Sequence, residues 1–269
     1  MSVVVTVALL QVTRFLTANR PVDYVVREAG MTLTHRAPAK QIGPGQPLIR
    51  VEVDPAQSLG MAVRWLAPPA TEIGARGLPR IDEHAYAAAL PAFEKGTRVR
   101  YWITATTPEE TTVRLPKDPS KFCVLIFEGR ASKSVLVAHV VFMFGAFFFM
   151  VMSFFGGIAM LRGREGKRGT VRAARWVLVS SFIGFVPLGM ILNYQTFGML
   201  WEGYPFGRDI TDNKTQLIFV FWLLSLLLVR GSFVGGGEER DRVGPRPFAW
   251  AIIGSFLVSL ALFIVPHSI

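Results

Sequence analysis

Four side chains in the C-terminal half of the chain are of types that could bind a metal or a haem. His139 lies inside a long apolar run, His267 lies near the C-terminal end, and Asp209 and Asp212 belong to the polar segment WEGYPFGRDITDNKTQ, residues 201–216. Imidazole and carboxylate groups together suit Zn, Cu or Fe, and two imidazoles could be the axial ligands of a haem. We therefore take His139 and His267 as candidate cofactor-binding residues, and Asp209 and Asp212 as candidate metal ligands.

Each of these residues also has a purely structural interpretation. A histidine in a helix bundle can simply hydrogen-bond a neighbouring helix, and His267 could be an interfacial residue. In segment 201–216 the Gly, Pro and aromatic residues are typical of a turn at a membrane–water boundary, where Asp212 or Asn213 would cap the next helix. The calcium-loop pattern D-x-[DN]-x-[DN]-G is absent from this segment. The sequence favours the structural interpretation.

The elements that must position these residues are long apolar segments. The chain has 269 residues, of which 51% are hydrophobic, and its mean hydropathy is +0.39. A bilayer core needs about 20 apolar helical residues. The sequence predicts four transmembrane helices, at residues 134–161, 176–196, 215–234 and 247–266. The third span requires Arg230 to reach the headgroups with its long side chain. Residues 134–269 are thus expected to form a four-helix transmembrane domain.

The distribution of Lys and Arg predicts how these helices are oriented. The connections contain six Lys and Arg in residues 162–175, two in 193–214 and four in 230–246. The positive-inside rule therefore predicts that the first and third connections face the cytoplasm. Residues 18–133, residues 193–214 and the C-terminus are then expected outside the cytoplasm, on a plasma or inner membrane. His139 and His267 would lie at one level, near the outer leaflet.

Residues 1–17 contain a short apolar run, SVVVTVALLQVT, without a basic segment before it. The run could be a fifth, N-terminal anchor helix, and an anchor with its N-terminus inside would deliver the next segment outside. It could also be a signal-like segment or a strand or helix that does not span, because its length is marginal for a bilayer. A true start upstream would explain the weak signal as well.

Residues 18–133 have the composition of a soluble β domain. Pro and Gly separate short alternating runs, such as LIRVEV at 48–53 and TRVRYWITAT at 97–106. Period-two alternation with regular turn signals predicts a half-buried antiparallel sheet, and a small all-β sandwich is the economical fold. The run KFCVLIFEG at 121–129 is apolar on both faces, which predicts a central or covered strand. His35 and His84 are expected at the surface.

The stretch YAAALPAFEKGTRVRYWITAT, residues 86–106, resembles the later strands of fibronectin type III or immunoglobulin-like modules. The matching positions are Tyr86, Pro91, Gly96, Val99, Tyr101, Ile103 and Ala105. The resemblance covers about residues 45–116. It implies a β-sandwich used for adhesion, spacing or docking, and it implies no chemistry. Cys123 is the single cysteine of the chain, so the disulfide of antibody domains is missing.

Sequence motifs for catalysis or nucleic-acid binding are absent. The chain contains no G-x-S-x-G, H-E-x-x-H, P-loop or G-x-G-x-x-G pattern. The formal net charge is +10, and the densest basic cluster is a short connection between two apolar runs, which is typical of a membrane protein and not of a nucleic-acid-binding face. The GGG run at 235–237 is interpreted as a flexible linker. The stretch GFVPLGM at 184–190 predicts a kink or a close helix contact, although interrupted helices also form transporter sites.

These observations lead to one expected function and two alternatives. The first is a non-catalytic, accessory integral membrane subunit or scaffold of a multisubunit complex, with an extracytoplasmic Ig-like docking domain. Its expected partners are the lipid bilayer and other membrane subunits, and not nucleic acid. The alternative is a haem- or metal-binding membrane redox protein that uses His139 and His267. A small transporter component is the third.

Overall fold

The computed structural model describes residues 21–164, 166–207 and 209–265, together with positions 4 and 8. The chain divides into two compact units. Within the described residues, the β unit comprises residues 21–130 and 195–198, and the helical unit comprises residues 131–194 and 199–265. Apart from those two positions, the segment 1–17 lies outside the described residues.

The β unit contains two sheets. Its strands are β1 Val22–Glu28, β2 Met31–Ala37, β3 Lys40–Ile42, β4 Leu48–Asp54, β5 Gly60–Leu66, β6 Gly74–Gly77, β7 Arg80–Asp82, β8 Ala85–Ala89, β9 Arg98–Thr106, β10 Thr112–Leu115 and β11 Cys123–Glu128. One sheet has the order β1-β2-β4-β8-β7; the other has the order β3-β11-β9-β5-β6, with β10 also paired to β9. The pairing is antiparallel except between β11 and β3, which run parallel. The prediction of an antiparallel sheet is therefore wrong for that pair.

One hydrophobic core contains side chains from both sheets. It forms because the strands bury alternate side chains. In β4 the side chains of Ile49, Val51 and Val53 are buried, and the residues between them are exposed. In β9 every second residue from Val99 to Ala105 is buried in the same way. A strand that buries every second side chain on one face leaves the other face to solvent. β11 lies between β3 and β9, yet its Val124 is exposed, so this strand alternates too.

The helical unit contains α1 Lys133–Leu161, α2 Lys167–Ile183, a π-helical segment Gly184–Gly189, α3 Met190–Phe197, α4 Ile210–Leu228, α5 Arg230–Val234, a 3₁₀ turn Glu238–Arg240 and α6 Pro245–Ile264. Three helical stretches among the described residues are long and apolar enough to cross a membrane: 133–161, 167–197 and 245–264. The second begins nine residues before the predicted start at 176, and Lys167 and Thr170 in its polar first turns are buried.

The segment predicted as the third span, 215–234, is not one continuous helix. α4 begins at Ile210 and ends at Leu228, and Val229 has non-helical backbone angles of φ −115° and ψ 49°. The short helix α5 then begins at Arg230. The carbonyl of Leu228 accepts a hydrogen bond from the Arg242 N–H at 3.0 Å, so a later part of the chain takes the place of the next helical turn.

Two adjacent glycines in α1 let neighbouring helices approach closely. A Cβ atom on Gly156 would collide with the Thr170 hydroxyl of α2, and one on Gly157 would lie 3.3 Å from the Ala249 carbonyl of α6. Small residues at helix crossings are typical of membrane bundles, because packing rather than hydrophobic exclusion holds the helices together there. Between α4 and α6, the Trp222 indole N–H donates to the Ser259 hydroxyl at 2.9 Å.

Candidate functional site

Hydrogen bonds join the loop part of the polar segment 201–216 to the first turn of α4, which belongs to the same segment. The Asp209 carboxylate accepts hydrogen bonds from the backbone N–H groups of Thr211 at 2.8 Å and Asp212 at 3.1 Å. Asp209 is therefore the N-cap, and the prediction that Asp212 or Asn213 would cap this helix is wrong. The reason is local: a cap side chain bonds N–H groups two and three positions ahead, and the helix begins at Ile210.

Asp212 holds the loop rather than the helix end. Its carboxylate is buried and accepts from the Asn193 amide at 3.2 Å and from the Glu202 backbone N–H at 2.7 Å. The next side chain, Asn213, accepts from the Tyr204 backbone N–H at 2.7 Å. Both candidate metal-ligating carboxylates, Asp209 and Asp212, are thus engaged by donors of the protein itself.

His139 packs on the irregular part of the second long helix. Its Nδ1 lies 2.9 Å from the Gly184 carbonyl oxygen, which can only accept, so Nδ1 carries the proton and donates. Nε2 then holds a lone pair. Gly184 begins the π-helical segment, and a Cβ atom there would lie 3.1 Å from the Met143 sulfur of α1. The interrupted stretch 184–190 therefore makes a close helix contact, one of the roles its sequence predicted.

The two candidate ligand sets are not gathered into one metal centre in the described part of the chain. Residues 21–164, 166–207 and 209–265 contain no group of three or more His, Cys, Asp or Glu side chains that could hold an ion. His267 lies outside the described residues, so its pairing with His139 stays a prediction.

Sequence reasoning placed His35 at the surface, and this is wrong. The side chain is 1% exposed, with Nδ1 at 2.7 Å from the Arg50 carbonyl and Nε2 at 2.8 Å from the Tyr101 hydroxyl. Since the carbonyl only accepts, Nδ1–H donates to it and the Tyr101 O–H donates to Nε2. Burial lowers the pKa of His35, opposed by its bond to the Arg50 carbonyl. Burial also raises the pKa of nearby Cys123 to about 12. The arrangement is a satisfied polar pair in the core.

A second polar cluster lies where α2 begins and α5 ends. Lys167 donates to Asp241 at 2.5 Å, and Asp241 also accepts from the Ser232 backbone N–H at 2.7 Å and hydroxyl at 2.6 Å. Burial disfavours the charged carboxylate, but these bonds outweigh it and hold the pKa of Asp241 below its usual range. Sequence reasoning did not find this pair, because its members are separated by 74 positions in the chain.

The GGG run at 235–237 is a defined turn, so its interpretation as a flexible linker is wrong. Gly235 and Gly237 have φ angles of +82° and +95°, which favour glycine. The Gly236 N–H donates to the Gly231 carbonyl at 2.8 Å, and the Arg240 N–H donates to the Gly237 carbonyl at 3.4 Å. The turn brings the 3₁₀ segment against α5.

Comparison with known proteins adds little to this description. No protein-family model and no curated protein sequence matches the chain. A solved structure of murine CRIg matches 37% of this chain and 98% of its own, with 12% identity and a TM-score of 0.25. That similarity is too weak to carry an argument about fold or function. The chain is therefore defined by its own architecture: a β unit of two sheets and a helical unit with three helices of membrane length, consistent with a membrane protein.

Proposed function

We propose that this protein is a non-catalytic integral membrane subunit or scaffold of a larger assembly. The observation that carries the proposal is the apolar outer surface of its long helices. In the most apolar part of α1, only 22% of the residues are buried within the chain. Large apolar side chains such as Val137, Val141, Phe182 and Trp250 are exposed. Apolar surface of this extent needs lipid or protein to cover it.

The polar groups of the helical unit support a structural role. Asp212 holds its loop, Lys167 is paired with Asp241, and Lys214 donates to the Val265 carbonyl at 2.8 Å. These bonds tie the ends of helices together. Such internal bracing suits a scaffold.

The β unit is proposed as the extracytoplasmic docking domain, with an Ig-like or fibronectin type III-like sandwich fold. Its two sheets share one core, and that core includes five of the positions on which the resemblance rests: Tyr86, Val99, Tyr101, Ile103 and Ala105. In this proposal α4 and α5 together make a fourth span, and residues 1–17 supply an N-terminal anchor. The loop charges then place 162–175 and 230–246 in the cytoplasm.

Reporter fusions test the orientation. Fusions at Gly166 and Gly236 should report a cytoplasmic position, and fusions at Gly60 and Gly207 an external one. The basis is the count of six, two and four Lys and Arg across the three connections. An external signal at Gly166 would overturn the topology and with it the extracytoplasmic β domain.

Site-specific photo-crosslinking tests the scaffold role in native membranes. A crosslinking amino acid at Val141, which is exposed on α1, should form a discrete protein adduct. The matched control is Met150, which lies on the same helix and is fully buried, and which should crosslink only within the chain. Adducts to lipid alone at Val141 and at further exposed positions of α1 would count against a subunit role.

A membrane redox protein is the second candidate, and one observation favours it. Metal-binding histidines usually donate their second ring N–H to a carbonyl or carboxylate, and His139 donates Nδ1–H to Gly184 in that way. A Soret band or a stoichiometric bound metal in the purified protein, lost in His139→Gln with folding preserved, would establish this function. We expect neither a haem nor a metal, and we expect His139→Gln to assemble normally, since an amide can keep the hydrogen bond.

A further inference from the structure

A pocket of about 290 Å³ opens at the end of the helical unit that carries the GGG turn. It is lined by Arg168, Val171, Arg172, Arg175, Ser232, Gly235, Gly237 and Glu238. Its volume is at the lower end of the range of small-ligand pockets, about 300–1,000 Å³. The lining combines one helix face with a glycine turn, and these two elements have different roles.

Three arginines dominate one wall. Arg168, Arg172 and Arg175 are four and three positions apart on α2, so they lie on one face of the helix. Within the described residues, Arg168 and Arg172 make no hydrogen bond or ion pair. Arg175 donates one Nη–H to the Ser232 carbonyl, and its Nε is buried without a partner in the described structure. A buried donor left unpaired costs free energy, so a ligand that accepts from it would be stabilised.

The acidic groups nearby do not neutralise these arginines. Asp241 is held by Lys167 and Ser232, and Glu238 lies 3.7 Å from the same lysine. Asp241 is therefore used by Lys167. Glu238 lines the pocket and the Glu239 carboxylate lies beside the GGG turn, so the three arginines outnumber these two described carboxylates and leave a net positive charge. Such a charge attracts an anion.

The rest of the lining includes Gly235 and Gly237 of the GGG turn, whose φ angles are +82° and +95°. The N–H groups of Gly235 and Gly236 donate to the Gly231 carbonyl, and the Glu239 carboxylate lies beside Gly237. The turn therefore shapes the pocket without offering these N–H groups to a ligand. The donors come from the arginine forks, which are well matched to the tetrahedral oxygens of a phosphate group.

The residue that follows Arg175 on α2 indicates that this part of the helix lies near the membrane–water boundary. Trp176 is exposed and stacks on Phe149 of α1 at a ring-centroid distance of 5.9 Å. Exposed tryptophan beside arginine is typical of the membrane–water boundary, and basic pockets between helices at that level bind anionic headgroups.

We propose that the pocket lined by Arg168, Arg172, Arg175 and the 235–237 turn binds a phosphate group, either on an anionic phospholipid headgroup or as free phosphate. The site lies apart from His139 and Asp212 and does not depend on the scaffold function.

Native mass spectrometry of the full-length protein from nanodiscs tests the lipid source, with phosphatidylglycerol in phosphatidylcholine against phosphatidylcholine alone. The wild type should retain phosphatidylglycerol, and Arg172→Gln and Arg175→Gln should each weaken retention about tenfold or more, since a hydrogen bond to a charged group contributes about 1.5–3 kcal/mol. The matched control is Arg162→Gln, because this exposed arginine lies outside the pocket lining.

Titration with inorganic phosphate in detergent, read by thermal stability, tests the free source. Stabilisation by phosphate that is lost in Arg172→Gln, without selective retention of phosphatidylglycerol, would identify free phosphate as the ligand. Equal loss of lipid in Arg162→Gln would show only general attraction to a basic surface and would overturn the proposal. No response to lipid or phosphate by a folded wild-type protein would overturn it too. Arg172 is exposed, so its substitution should leave folding intact, and an unchanged melting curve without ligand checks this.

Discussion

The hydrogen bond between Tyr101 and His35 allows a quantitative test of the β unit. Tyr101→Phe removes the O–H that donates to His35 Nε2 at 2.8 Å and leaves the ring in place. His35 cannot compensate by changing its tautomer, because Nδ1–H must still donate to the Arg50 carbonyl at 2.7 Å. Nε2 is thus left as a buried acceptor without a donor. Such a loss costs about 1–3 kcal/mol, which raises the opening equilibrium of the unit about 5- to 150-fold.

Cys123 supplies the assay in the full-length protein. It is the one cysteine of the sequence and is fully buried in the β-unit core. Its raised pKa, about 12, further suppresses reaction in the folded state. When the unit recloses faster than the thiol reacts, the labelling rate is proportional to the opening equilibrium. Labelling in Tyr101→Phe should therefore be faster by the factor above.

Tyr204→Phe is the matched control, because Tyr204 is 71% exposed and belongs to the helical unit. It should leave Cys123 labelling unchanged. If Tyr101→Phe changed the rate by less than about twofold, a factor worth only about 0.4 kcal/mol, the His35–Tyr101 bond would not hold the core closed. The assignment of donor and acceptor in that pair would then be refuted.

Three further predictions rest on other parts of the chain. Because burial lowers the pKa of His35 from 6.5, the folded unit binds fewer protons than the unfolded one. The contribution of His35 to the stability of the unit is therefore complete above pH 6.5 and should fall as the pH drops below that value. The loss should appear as faster Cys123 labelling, after correction for the thiolate fraction at each pH. Gly156→Leu should destabilise the helical unit by about 1–3 kcal/mol in detergent melts, whereas Gly254→Leu, where an added Cβ meets nothing within 4 Å, should change little. Asp212→Ala removes the carboxylate that accepts from the Asn193 amide and the Glu202 N–H, so limited proteolysis of residues 198–209 should accelerate; an unchanged cleavage rate would show that the loop is held by other contacts.

Local patterns in the sequence were sufficient for the elements that depend on local properties. The apolar run at 134–161 coincides with α1 to within one residue, and the run at 247–266 overlaps α6 closely. Alternation in β4 and β9 correctly identified their buried faces. These features follow from composition and period along the chain, which a sequence displays directly.

Tertiary structure alone decided which polar residues meet. His35 is buried because Tyr101, 66 positions away, supplies its second hydrogen bond. Lys167 is buried because Asp241 neutralises it. The sequence spacing is enough to place three arginines on one helix face: Arg168, Arg172 and Arg175. Only the fold brings the glycine turn to the same pocket. A polar side chain lies in the core or lines a site only when a partner from elsewhere in the chain satisfies it, and long-range pairing leaves no mark on local sequence.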